Sequence, residues 1–152
     1  VDSYVNPSIP YGLTSTSISS AALQKLQLVQ NFGIRTIYGL PKFARVSSYR
    51  NELNWLTVHD LAKYKLGIMA HKSIHGGNPS YLSIQLNETQ PNHSYPVRSY
   101  HLRRPAYSNK YSENTLMSRT INLFNETSRS MWADGLGTFK KKLHEYLKLS
   151  SQ

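Results

Sequence analysis

Apolar positions recur at three- and four-residue steps through AALQKLQLVQNFGIRTIY, where Leu23, Leu26, Gln30, Ile34 and Ile37 share one helical face. The spacing predicts a helix from Ala21 to about Tyr38. Ser19 or Ser20 stands at its N-cap, and Gly39 followed by Pro41 stops it. A shorter helix is expected from Ser47 or Ser48 through Leu53, ending near Trp55. Thr57 and Asp60 then form a Thr-x-x-Asp capping pattern ahead of a third helix, from Val58 to about His75, closed by Gly76 and Gly77. Pro79 opens a fourth, PSYLSIQL. Helical spacing returns at Met117, Ile121 and Phe124. A last helix, from about Thr138 to Leu149, places Phe139, Leu143, Tyr146 and Leu147 on one stripe, with Lys140, Lys141 and Lys142 largely off it.

Between these helices the period fails twice. Residues 1–20 are rich in Ser, Thr and Pro and read as an extended or disordered lead-in. Residues 87–115 are a basic connecting arm rich in Tyr and Pro. The helical regions are then 21–86 and 116–152. Little alternation of strand type is visible, so the expected class is mainly α, a small domain of about five to six helices.

Composition sharpens this picture in three ways. The chain carries 18 Lys and Arg against 8 Asp and Glu, a net charge of +10 that attracts polyanions, nucleic acid first among them. It has no cysteine, which removes disulfides, thiolate metal sites and cysteine nucleophiles. Its 152 residues hold no apolar run near the roughly 20 residues of a membrane span. With no signal sequence recognisable at VDSYVNPSIP, an intracellular setting is expected, nuclear or cytoplasmic.

Catalytic constellations are hard to assemble. His71 and His75 stand four apart on the third helix, a spacing that suits a shared metal, but no third ligand lies near in sequence. A polar face near the helix C-terminus, where histidine suits the dipole, accounts for them better. The three Asp and five Glu are scattered, whereas two-metal phosphoryl chemistry needs clustered acids. Neither a GxSxG elbow nor a phosphate-cradling glycine loop is present. No cofactor, metal site or catalytic residue is expected. The most suggestive binding patch is Arg98, Arg103 and Arg104 with Tyr95, Tyr100 and Tyr107 interleaved: guanidinium forks grip phosphates and tyrosine faces stack on bases. The same residues also suit a tyrosine-rich loop over the helices with solvated arginines.

The order of segments carries a further signal. LQKLQLVQNFGIRTIYGLPKF, SYRNELNWLTVHDLAKYKLGIMAHKSIHGGNPSYLS, INLFNE and FKKKLHEYL occur in that order, with YGL at Tyr11–Leu13 upstream. Together they resemble the region that follows the polymerase core in non-LTR (LINE-type) retrotransposon reverse transcriptases. The resemblance covers Tyr11 to Leu149. It implies a helical thumb and the stretch beyond it, contacting a template–primer duplex, with Lys25, Arg35, Lys42 and Arg45 near the nucleic-acid backbone. The sequence departs from the pattern after Asn125, where Glu126-Thr127-Ser128 replaces the usual Ser-Leu-Pro, and at MWADGLG. A reverse transcriptase keeps its catalytic aspartates in a palm, and no Tyr-Ala-Asp-Asp-like motif occurs here.

Two functions therefore stand at this point. One is a non-catalytic nucleic-acid-binding helical module, taking an RNA–DNA hybrid or RNA. The other is a co-opted structural subunit that packs on protein partners in a larger assembly. Trp55, in LNWL between two helices, is expected to be a buried hinge anchor rather than a face held out for a base.

Overall fold

The computed structural model describes residues 19–76, 80–88, 102 and 115–150, and over these the chain is mainly helical, without a strand. In chain order, α1 is Ser20–Tyr38, α2 Ser47–Glu52, α3 Val58–Gly76, α4 Ser80–Glu88, α5 Leu116–Glu126, α6 Arg129–Ala133 and α7 Leu136–Ser150. Five are substantial helices; α2 and α6 are single short turns between them. The capping residues act as their types predict. Ser19 Oγ accepts from the Ala22 amide at 3.3 Å. Gly39 ends α1 at φ 61°, a left-handed conformation that costs glycine least, with its N–H on the Arg35 carbonyl. Thr115 caps α5 by accepting from the Ser118 amide at 3.3 Å.

α3 runs through the centre and packs on α1, α4, α5 and α7. A helix enclosed on several sides has no single apolar stripe, and its buried residues are correspondingly mixed: Asp60, Leu66, Gly67, Ala70, His71 and Ser73 among them. Gly67 permits the closest approach. A Cβ there would lie 2.5 Å from Leu143 Cδ2 and 3.2 Å from Leu123 Cδ2, and Leu143 is fully buried, so the leucine must shift to admit it. The main core joins Ala70 of α3 with Ile121, Leu123 and Phe124 of α5 and with Phe139, Leu143 and Leu147 of α7. Helices on either side of the connecting arm thus share one core. Each of the buried leucine, isoleucine and phenylalanine side chains contributes about 1.5–3 kcal/mol by burial.

Two smaller clusters attach α1. Val58 packs with Leu23, Leu26, Leu61 and Ala62. Ile34, Val46 and Trp55 form the other, with Tyr38, Tyr49 and Leu53 around them. Two expectations are corrected here. Ile37, placed on the apolar face by its spacing, is 37% exposed; the chain turns at Gly39, and Tyr38 is the residue that packs. Residues 129–133, where no helix was expected, form α6 and bury Met131 and Trp132. Its five residues are too few for a period to show.

Candidate nucleic-acid interface

Four of the residues expected near a nucleic-acid backbone lie in α1 and the following loop. Lys25 is exposed on the face of α1 that also carries Leu28, Val29 and Phe32, all solvent-exposed. Arg35 is turned inward: its Nε and Nη2 both donate to the Ala44 carbonyl, at 3.3 and 3.2 Å. The guanidinium therefore works as a strut that holds the GLPKF loop to α1, with two of its five donors spent on one oxygen. Lys42 and Arg45 sit exposed on that loop, and Lys42 Nζ lies 5.7 Å from the Phe43 ring centroid, within cation–π range. Phe43 is 90% exposed. From Ser3 to Asn51 there is no acidic residue to offset Lys25, Arg35, Lys42, Arg45 and Arg50. Arg98, Tyr100, Arg103 and Arg104 of the arm lie outside the described residues, as do Tyr95 and Tyr107.

The LNWL junction is held by polar groups that periodicity could not assign. Gln30 is fully buried on the apolar face of α1, and its Nε2 donates to the Leu56 carbonyl at 2.9 Å. Gln27 orients it, donating from Nε2 to Gln30 Oε1 at 2.8 Å. The Gln27 Oε1 in turn accepts the Val58 amide at 2.9 Å, one of the orphan donors at the start of α3. Thr57 completes the cap: Oγ1 accepts from the Asp60 amide and donates to the Asp60 carboxylate at 2.5 Å. Asn54 supplies the sharp turn at φ 56°. Trp55 and Leu56 are both buried, in separate clusters. Trp55 is an anchor.

His71 and His75 hold the far end of α3. Their ring centroids lie 4.3 Å apart, the planes tilted by 39°, and His71 is buried against Phe139 rather than placed on a polar face, which corrects the sequence expectation. His71 Nε2 donates to the Asp134 carbonyl at 2.8 Å and His75 Nε2 to the Trp132 carbonyl at 2.7 Å. Carbonyls only accept, so both rings carry the proton on Nε2. Burial pushes the His71 pKa below the usual histidine value. The Asp134 carbonyl opposes this, the neighbouring His75 adds to it, and the Asp134 charge again opposes it. The histidines thus clasp MWADGLG, and the same segment engages Thr127. Trp132 Nε1 donates to Thr127 Oγ1 at 2.7 Å, and Thr127 Oγ1 donates to the Leu123 carbonyl at 2.8 Å, closing α5. Asn125 meanwhile clamps the arm, accepting from the Leu102 amide at 2.8 Å and donating to its carbonyl at 3.1 Å.

Among the described residues no group of three or more His, Cys, Asp or Glu is placed to hold a metal ion, and no helix is long and apolar enough to cross a membrane. Comparison with known protein families, curated proteins and solved structures finds no match in any of the three. The sequence left unassigned the polar roles of Gln27, Gln30 and Thr127. The one available signal was a polar pair, three residues apart, interrupting an otherwise apolar face.

Proposed function

We propose that the chain is a non-catalytic helical module that binds nucleic acid, similar in role to the thumb and following stretch of a retrotransposon reverse transcriptase. One observation carries this reading: the acid-free run from Ser3 to Asn51, with Lys25, Lys42 and Arg45 exposed to solvent. Lysine and arginine with no neighbouring carboxylate contact phosphates without first breaking an ion pair, and binding then releases counterions. The test is fluorescence anisotropy against an RNA–DNA hybrid, an RNA single strand and a DNA duplex over a salt series. Affinity should fall steeply with salt, with a slope worth several phosphates. Weak, salt-independent binding to all three sinks the reading.

A second reading, a subunit that packs on a protein partner, is favoured by a different observation. Leu28, Val29 and Phe32 stand 65%, 52% and 69% exposed on α1, near-continuous apolar surface of a kind soluble monomers seldom leave uncovered. Phe32→Ser separates the two: it leaves salt-dependent nucleic-acid binding intact in the first case and weakens retention in the native assembly in the second.

A further inference from the structure

The three consecutive lysines of α7 have two different surroundings. Lys142 Nζ is paired with Asp134 Oδ2 at 2.7 Å. Lys140 and Lys141 turn the other way, into an open cleft of about 460 Å³ between α7 and the start of α3. His144, Glu145 and Lys148 continue that wall down the helix, and Asn54 and Tyr64 face them. The cleft's shape is fixed by contacts across it. Lys148 Nζ donates to Asn54 Oδ1 at 2.9 Å, and the Tyr64 and His144 rings meet edge to face at 5.8 Å and 88°. Among the described residues, neither Lys140 nor Lys141 lies within ion-pairing distance of a carboxylate.

We infer that this cleft seats the sugar-phosphate backbone of a nucleic-acid strand, a contact separate from α1; the inference rests on the nucleic-acid reading above. Lys140, His144 and Lys148 follow one another at four-residue steps, forming a row ~12 Å long at 1.5 Å per residue. A strand lying along the row brings consecutive phosphates against its charges, each neutralised phosphate releasing counterions. Three lysines outweigh the single carboxylate, Glu145. The ammonium groups are point charges without a fork, which suits backbone contact without base preference. Phe139, Leu143 and Leu147 anchor the other side of α7 in the core, so the row is presented on a rigid element.

The test compares Lys141→Gln with Lys142→Gln, which remove the same charge from inside the cleft and from the Asp134 pair outside it, in the full chain. Anisotropy is read on a labelled single-stranded RNA across a salt series. Lys141→Gln should reduce the slope of log affinity against log salt by about 0.7, Lys140→Gln/Lys141→Gln by about twice that, and Lys141→Arg should restore it. Lys142→Gln should leave the slope unchanged. Equal effects from Lys141→Gln and Lys142→Gln overturn the cleft while the general reading survives. Wild-type chain that ignores RNA but binds poly-glutamate overturns both, and makes the cleft a seat for an acidic protein segment.

Discussion

Helices α1 and α7 are built in opposite ways. α7 buries Phe139, Leu143 and Leu147 completely and gives its lysines to solvent and the cleft. α1 buries Gln30, Gly33 and Ile34, while Leu28, Val29 and Phe32 face outward. α7 is therefore held by apolar area, and α1 by two small clusters plus the hydrogen bonds that Gln27 and Gln30 make to the LNWLT junction. The difference teaches that the same three- and four-residue rhythm serves two purposes. In α7 it marks what is inside; in α1 it marks both what is inside and an apolar face left in solvent.

The strongest way to break this contrast is Phe139→Ala, which should cost about 3–5 kcal/mol by cavity formation in the main core. Chemical denaturation measures it; a loss below 1 kcal/mol would mean α7 is not the anchor described. Trp55→Ala should approach the same range but stay below Phe139→Ala, because its cluster is smaller and at the edge. If Trp55→Ala instead leaves stability intact and removes RNA binding, the tryptophan is a binding face.

Gln30→Ala tests the polar attachment of α1. It leaves the buried Leu56 carbonyl without its donor and should cost about 1–3 kcal/mol. Acidification gives a fourth handle, since the folded His71 pKa lies below its unfolded value. Below about pH 6.5 the unfolded chain binds the proton and the folded chain does not, so stability falls as pH drops, and levels off below the folded pKa. Urea midpoints between pH 7.5 and 5 should show this decline, smaller in His71→Gln; equal declines would place the sensitivity elsewhere. The smallest effect belongs to Phe32→Ser, within about 0.5 kcal/mol of wild type. A large loss from it would show that the outer face of α1 is covered within the chain.

The helical segments of 20–38, 58–76 and 136–150 were legible because the signals that make them act over three or four residues: apolar period, the Ser19 and Thr57 caps, the Gly39 stop. Burial of Trp55 was legible too, from its place between Leu53 and Leu56. The sequence was silent wherever a side chain finds a partner far along the chain. Gln30 meets Leu56 only once α1 lies on the junction. His71 reaches Asp134 only once α7 has packed on α3. Arg35 finds the Ala44 carbonyl only when the loop folds back. Local sequence thus settled the longer helices, the ends marked by Ser19, Gly39 and Thr57, and the basic charge of the chain. Tertiary structure alone decided which polar groups are buried as struts and which lysines converge on one cleft. Hydrogen bonds and charge convergence depend on distances that only packed helices set.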